Sequence, residues 1–258
     1  MAQTLTLVPL GDALSPRFGQ VLDAALQGRS HQTVNWLTDP MEDQRVLCAV
    51  PLGAGGVNPA FYSLLAFLRT HPGCLSGSVG GVLVDGPGDL YTKAVGRELV
   101  LAANQAGCAF PGRPLVEGTG DLRNFTVQAK TAGCSLEEAY RLAAAGLAGR
   151  VLDFSPPRRV RPKLLVLHAS NRATSNTLAL WGRCREHLEA RCGITEIGLR
   201  NGTLEDCAGC PYTMCLHYGE KGGCFYGGVM VQEVYPALRE ADAVVLLCPN
   251  YNDALSAN

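Results

Sequence analysis

The sequence predicts a doubly wound α/β fold, with parallel sheets in two tandem domains. Short apolar runs alternate with segments of helical periodicity along the chain, an order that is typical of parallel strands joined by helices. Most of these runs are continuously apolar, as expected for strands that are buried on both faces. A stretch rich in proline and arginine at 153–162 separates a longer first part from a shorter second part.

The predicted strands follow these apolar runs. They cover residues 4–10, 33–37, 44–52, 80–86 and 114–118 in the first part, and 163–170, 194–199 and 243–250 in the second. The predicted domains are therefore 1–152 and 163–258, joined by a linker at 153–162. The two parts are weak repeats of each other, but the second supplies only three strands. Because three strands would leave an apolar sheet edge open, we expect either that the second domain is truncated after its third strand or that something else covers that edge.

Local helix signals fall between the strands. Asn58 can cap a helix in which Pro59 fits the first position. Ser135 and Glu138 have the spacing of a capping box. Pro236 interrupts a helical repeat and should kink that helix or begin its second half.

The composition narrows the class of protein. The chain has 258 residues, of which 47% are hydrophobic and 17% charged, with a formal net charge of −1. No basic excess indicates a nucleic acid partner, and no apolar run is long enough to span a bilayer. The N-terminus lacks the basic region and cleavage site of a signal peptide. We therefore expect a cytoplasmic protein with neither a nucleic acid nor a membrane partner.

Eleven cysteines in a cytosolic chain are more typical of thiols or metal ligands than of disulfides. Seven of them are scattered, mostly in apolar surroundings, and are predicted to be small buried hydrophobic side chains. These seven are Cys48, Cys74, Cys108, Cys134, Cys184, Cys192 and Cys248.

The other four cysteines lie within eighteen residues, with the spacing C-x2-C-x4-C-x8-C. They are Cys207, Cys210, Cys215 and Cys224. A C-x2-C pair lets two thiolates bind one metal ion or one cluster edge, and two further thiolates complete four-coordination. The irregular second half suits an iron–sulfur cluster somewhat better than a zinc site with two knuckles. A loop of free thiols is the competing interpretation.

The turn HASNRATSNT, residues 168–177, follows a predicted buried strand and opens a helix. It concentrates hydroxyls, amides and one guanidinium, from Ser170, Asn171, Arg172, Ser175, Asn176 and Thr177. A helix N-terminus offers free N–H groups and a positive dipole end, so such a turn is suited to bind a phosphate. An ordinary well-capped helix has the same residue types.

The loop CPNYNDALSAN, residues 248–258, follows the last predicted strand. In doubly wound sheets, ligands lie beyond the carboxyl ends of the strands at the switch point, so this loop and the turn 168–177 should meet there. The polar groups of Asn250 and Asn252 and the ring of Tyr251 suit a flat heterocycle. A polar loop that caps a helix is the alternative.

The order of these motifs resembles that of the flavodoxin-like NADPH-dependent FMN reductase family, especially its iron–sulfur flavoprotein branch. The resemblance covers 163–258. It rests on the turn that keeps Ser170, Arg172, Ser175, Asn176 and Thr177, on Cys207-Ala208-Gly209-Cys210, on Gly223-Cys224, on Ala241-Asp242, and on Pro249-Asn250-Tyr251 with Ser256-Ala257 beyond. One departure is the gap after Cys210, which has four residues where iron–sulfur members usually have two.

The resemblance implies an FMN-dependent NAD(P)H oxidoreductase. FMN would have its phosphate on 170–177 and its ring against Pro249, Asn250, Tyr251 and Asn252. The iron–sulfur branch adds a [4Fe-4S] cluster on the four clustered cysteines. Electrons would pass from NAD(P)H to a small-molecule or protein acceptor, and relatives of this fold often form homodimers. No protein acid, base or nucleophile is assigned as catalytic, because the flavin performs the chemistry.

Two other functions remain open from the sequence. One is a metal-binding interaction module, with zinc or a cluster, whose flavin site is vestigial. The other is a thiol redox sensor in which Cys207 and Cys210 form a reversible disulfide. The first domain is expected to be a degenerate flavodoxin-like domain without flavin, because its first turn, LGDALSPRF, lacks the Ser/Asn/Thr cluster. Its GPGDL segment, 86–90, is expected to be a structural turn rather than a ligand cradle.

Overall fold

The chain divides into two compact units, Met1–Pro156 and Pro157–Asn258. The computed structural model describes residues 3–11, 14–35, 40–157, 159–170, 174–199, 202, 204–248, 250–251 and 254–255. Residues 251, 254 and 255 are described only by their backbone. Each unit is built around its own parallel sheet. No helix among these residues is long and apolar enough to cross a membrane.

The sheet of the first unit has five parallel strands in the order β2-β1-β3-β4-β5. The strands are β1 (Leu5–Pro9), β2 (His31–Thr33), β3 (Arg45–Pro51), β4 (Val79–Asp85) and β5 (Leu115–Gly118). The helices are α1 (Pro16–Leu26), α2 (Pro59–Thr70), α3 (Thr92–Gln105), α4 (Thr126–Ala132) and α5 (Leu136–Asp153), with 3-10 turns at Ala54–Gly56 and Arg123–Phe125. This strand order is the flavodoxin-like one.

The sheet of the second unit has three parallel strands in the order β7-β6-β8. The strands are β6 (Lys163–His168), β7 (Gly193–Gly198) and β8 (Ala243–Leu247). The helices are α6 (Asn176–Leu188), α7 (Tyr212–Gly219) and α8 (Tyr235–Glu240), and a π-helical turn (Met230–Val234) runs directly into α8. A short antiparallel pair, β9 (Asn250–Tyr251) and β10 (Ala254–Leu255), follows β8. The order β7-β6-β8 repeats the order β2-β1-β3 of the first unit.

Both faces of the first sheet are covered, because alternate residues of β1, β3, β4 and β5 pack into different cores. Val8 and Val82 pack with Phe61 and Leu99 beneath α2 and α3. On the opposite face, the core beneath α1 and α5 contains Leu5, Leu7, Leu47, Leu83, Phe18, Tyr140 and Leu147. Continuous burial of β4 over Val79–Asp85 follows from this arrangement and explains its unbroken apolar run.

The second sheet also has two apolar faces. Leu164 and Val166 of the central strand pack against Trp181 of α6. Leu165 and Leu167 pack on the other face against Val234, next to α8. The predicted doubly wound parallel fold is therefore confirmed, with helices on both sides of each sheet.

Most predicted elements form where the apolar runs lie, and one strand differs. The second strand was expected at 33–37, whereas β2 is His31–Thr33, and residues 36–39 lie outside the described part of the chain. Pairing decides its position, because His31 and Thr33 lie opposite Leu5 and Leu7 of β1. All three residues of β2 are exposed, as suits an edge strand.

The predicted helix signals form with one change. Ser135 caps α5 by accepting from the N–H of Glu138 at 3.1 Å, but the Glu138 carboxylate pairs with Arg141 instead of completing the capping box. Pro236 lies in the first turn of α8, directly after the π-helical turn, as expected for a proline that begins the second half of a helix.

Gly118 at the end of β5 is required by a close approach in the first core. A Cβ atom there would lie 2.5 Å from Cε1 of Tyr140 and 2.8 Å from Oδ1 of Asp85. Tyr140 is fully buried, its hydroxyl donates to the carbonyl of Val84, and its ring stacks on Phe125 with centroids 5.0 Å apart. The ring therefore has little room to move aside.

We expect Gly118→Ala to destabilise the chain by about 1–3 kcal/mol, the usual cost of overpacking a core. The matched control is Gly112→Ala, where a Cβ would meet nothing within 4 Å and the loss should be much smaller. Urea denaturation followed by circular dichroism measures both. Equal midpoints for the two variants would contradict the packing described here.

Candidate functional site

The candidate site is the carboxyl edge of the second sheet. Its strands are parallel, so the connections after β6, β7 and β8 all leave from this edge. The chain runs from β6 outward to β7 on one side and later to β8 on the other. The crevice between β6 and β8 is therefore the switch point at which ligands bind in doubly wound folds.

The N-terminus of α6 follows β6 at this edge. Ser175 is its cap, and the Ser175 hydroxyl accepts from the N–H of Leu178 at 3.3 Å. The N–H groups of Asn176 and Thr177 precede the first intrahelical hydrogen bonds, so they have no acceptor within the helix. Asn176 is exposed and Thr177 is half-buried. A capped helix start with free N–H groups is suited to an anion.

A polar cluster lies on the face of the sheet that α6 covers. Glu196 of β7 accepts from the indole N–H of Trp181 at 3.0 Å, and Nη1 of Arg185 lies 3.6 Å from the same carboxylate oxygen, Oε2. The other oxygen of Glu196, Oε1, lies 3.7 Å from Nε2 of His168. His168 is buried, and its second ring nitrogen, Nδ1, has no hydrogen-bond partner among the described residues.

The structure places the predicted cofactor residues in part. Ser170, Ser175, Asn176 and Thr177 lie between the end of β6 and the first turn of α6. Asn250 and Tyr251 form β9, directly after β8, so they leave the same edge of the sheet from the adjacent strand. Arg172, Pro249 and Asn252 lie outside the described residues. The assignment of these nine residues to a flavin stays a prediction.

The four clustered cysteines do not form a metal site in the described part of the chain. Cys207, Cys215 and Cys224 are exposed and Cys210 is half-buried. No group of three or more His, Cys, Asp or Glu side chains among the described residues is arranged to hold a metal ion. The four-residue gap after Cys210 crosses the start of α7, so Cys215 is carried on the helix instead of in the loop. Neither an iron–sulfur cluster nor a metal-binding module gains support from this arrangement.

The seven scattered cysteines divide into buried, half-buried and exposed groups, and Cys134 and Cys192 are the half-buried ones. Cys48, Cys74 and Cys108 are buried as predicted, and burial raises the pKa of Cys48 and of Cys108 to about 12. For Cys184 and Cys248, the prediction of burial is wrong, because both are exposed. Cys184 lies on α6, whose buried residue is Trp181. Because the three-stranded sheet covers only a narrow stripe of α6, Cys184 remains exposed.

The carboxyl edge of the first sheet is occupied by the unit's own side chains. Nη2 of Arg17 lies 2.8 Å from Oδ1 of Asp85, and the guanidinium also donates to the carbonyls of Gly86, Thr119 and Gly120. Ser15 caps α1 and its hydroxyl donates to Asp85 at 3.1 Å. The start of α1 is thereby tied to the ends of β4 and β5.

The switch point of the first unit is bridged as well. Asn58 is buried at the start of α2, and its amide donates to the carbonyl of Leu10 at 2.8 Å and of Pro51 at 2.6 Å. The Leu10 carbonyl directly follows β1, and the Pro51 carbonyl ends β3. The 86–90 segment is a structural turn, since its backbone bonds to Gly118 and Gly120.

Burial of the Arg17–Asp85 pair changes the pKa of the Asp85 carboxyl group. Desolvation raises the pKa of Asp85 above its ordinary value of 3.8, although Arg17 and Ser15 act to lower it. Desolvation also raises the pKa of Tyr140, whose ring lies against this carboxylate. The pair is therefore held together at a desolvation cost and depends on all of its hydrogen bonds.

Sequence reasoning missed the two polar clusters. His168 is the first residue of the turn 168–177, and Glu196 interrupts the apolar run ITEIGL; a charged residue inside an otherwise apolar strand is the signal that could have found it. Arg17 and Asp85 are 68 positions apart, and no local pattern links them.

The parallel sheet and its strand order define the second unit as flavodoxin-like. Residues 162–258 match the family model of NADPH-dependent FMN reductase, and the match covers less than half of the chain. Among solved structures, the flavodoxin, WrbA-like protein from Agrobacterium tumefaciens is similar at 15% identity and a TM-score of 0.37, over 58% of this chain and 98% of that chain. That likeness is too low to carry an argument. The chain has no match among curated proteins.

The residues present fit the phosphate end of FMN. The capped start of α6 supplies N–H groups, and His168 supplies a buried nitrogen that has no partner among the described residues. The ring end would fall on 249–252, of which the structure describes Asn250 and the backbone of Tyr251.

We expect Arg17→Met to destabilise the chain by about 3 kcal/mol, because it leaves a buried carboxylate and three carbonyls without their donor. Without Arg17, the pKa of Asp85 rises further, so the native state holds a proton that the unfolded state releases. The loss should therefore grow as pH rises above 3.8 and be larger at neutral pH than at about pH 5.

Urea denaturation at both pH values measures this effect. The control is Arg69→Met, which removes an exposed partner of Glu98 and should cost less than about 1 kcal/mol. A pH-independent loss for Arg17→Met would show that Asp85 is not the group left unpaired.

Proposed function

We propose that the second unit binds FMN and acts as an NAD(P)H-dependent oxidoreductase. The observation that carries this proposal is the capped N-terminus of α6, which begins at the carboxyl end of the central strand and next to the β6–β8 crevice. The family match at 162–258 falls on the same unit and supports the assignment. When bound, the flavin would accept a hydride from NAD(P)H and pass electrons to a small-molecule or protein acceptor.

The residues of the chain bind and orient the cofactor in this proposal. The N–H groups of Asn176 and Thr177 face the phosphate, and the Ser175 hydroxyl keeps the first turn in place by capping it. The dipole of α6 adds partial positive charge at the same point. Asn250 and its neighbours, after β8, border the flavin ring across the crevice.

An iron–sulfur cluster is left out of the proposal. The described cysteines give no group that could hold one, and the gap after Cys210 places Cys215 on α7. The flavin proposal does not depend on these cysteines, since no step assigned to the chain's own residues uses them.

The first test is a titration of the purified chain with FMN, followed by anaerobic addition of NADPH and of NADH. We expect bound flavin to be bleached by one or both donors. A chain that neither binds FMN nor reduces it would overturn the proposal.

A single substitution tests the phosphate site. Asn176→Asp puts a negative charge at the first position of α6, where it favours the helix but repels a phosphate. We expect the Kd for FMN to rise tenfold or more, about 1.4 kcal/mol, with no loss of thermal stability. Riboflavin, which lacks the phosphate, should bind the variant and the original chain equally.

The charge control is Gln128→Glu on α4 of the first unit, an exposed position at which the same change should leave the Kd for FMN unaltered. Flavin fluorescence measures all of these affinities. Unchanged FMN binding by Asn176→Asp would remove the start of α6 from the site.

A further inference from the structure

His168 is a buried histidine at the end of the strand that leads to the proposed phosphate site. It is 9% exposed, and Nδ1 has no partner among the described residues. It lies opposite Leu247 of β8 in the sheet register, so it borders the β6–β8 crevice itself. A buried ring nitrogen without a partner costs free energy unless something else bonds to it.

The surroundings of His168 orient its ring. Nε2 faces the Glu196 carboxylate from 3.7 Å, within ion-pair range when the ring is protonated. Glu196 is held in turn by Trp181 and lies near Arg185, which is itself 3.7 Å from Glu189. Nδ1 is the ring nitrogen that Glu196 does not face.

A series of charged groups leads from His168 through Glu196 and Arg185 to Glu189. Glu196 on β7 is the charged group that faces Nε2, and Arg185 approaches Glu196 through its other carboxylate oxygen. The described residues of β8, Ala243–Leu247, are all apolar and add no charge. A phosphate at the start of α6 would add negative charge at the same sheet edge as the end of β6, where His168 lies.

We propose that His168 binds the phosphate of FMN through Nδ1 and does so only as the imidazolium. Binding then takes one proton from solvent: Nδ1–H donates to the phosphate while Nε2–H points to Glu196. This inference rests on the proposed function. It makes the affinity for FMN dependent on pH. The affinity is highest while His168 is protonated in the free protein, and it is lost as pH rises through the pKa of His168 in the complex.

The ring resonances of histidine in the carbon-labelled chain test the proposal directly. The His168 signal is assigned by its loss in His168→Gln. Saturation with FMN or with inorganic phosphate should raise its titration midpoint by about one unit or more, equivalent to tenfold tighter binding to the protonated form. Riboflavin should leave the midpoint in place. His71, exposed in the first unit, should titrate alike with every ligand.

Affinities give a second readout. His168→Gln should raise the Kd for FMN about tenfold at pH near 6, where a charge-assisted hydrogen bond is lost, and change it little at about pH 8. Because FMN titrates over the same range, the comparison is always between variants at one pH. His71→Gln is the matched control and should bind like the original chain. Glu196→Gln should shift the fall in affinity to lower pH.

The outcomes separate the two proposals. If FMN binds but leaves the His168 midpoint unmoved, or if riboflavin moves it equally, the role of His168 is overturned and the flavin function stands. If FMN does not bind at any pH, the flavin function fails, and the inorganic phosphate titration alone decides the role of His168. A midpoint unmoved by phosphate as well would overturn it.

Discussion

Parallel strand pairing is the constraint on which the rest of the structure depends. Within the five-stranded and the three-stranded sheet the strands run in one direction, so they all end at the same sheet edge, and helices such as α6 begin there. Helix starts carry free N–H groups and partial positive charge. A parallel sheet therefore collects unsatisfied donors along one edge, and the protein must bond them to its own groups or to a ligand.

The two units meet this requirement differently. In the first, Ser15 and Asn58 accept from the N–H groups of Phe18 and Phe61 at the starts of α1 and α2. Arg17 and the Asn58 amide donate to carbonyls at the strand ends of the same edge. In the second, the start of α6 is capped by Ser175, but His168 beside it keeps a buried nitrogen that no described residue bonds. The same topology thus yields one edge closed by internal hydrogen bonds and one suited to an anion, which is why the proposed function is assigned to the second unit.

Buried polar groups help to fix how the elements pack in both units. Burying them costs free energy, so they are tolerated only where hydrogen bonds surround them. Asp85 has a raised pKa beside an arginine, because desolvation outweighs the attraction between the two charges. Such a pair is tolerated when hydrogen bonds surround it, and here they also tie α1 to two strand ends. In the second unit the buried polar group among the described residues is His168, and the exposed Glu196 faces it and links Trp181 of α6 to β7.

The sequence by itself determined the elements and the fold class. Apolar runs predicted β1 and β3 to β8, and capping residues such as Asn58 and Ser135 predicted helix starts, because burial on both faces and local hydrogen bonding leave marks within a few residues. The turn after β6 was recognisable for the same reason. Tertiary structure alone decided the strand order, the partners Arg17–Asp85 and His168–Glu196, and the exposure of Cys184. These depend on register and packing between residues far apart in the chain, which local patterns do not record.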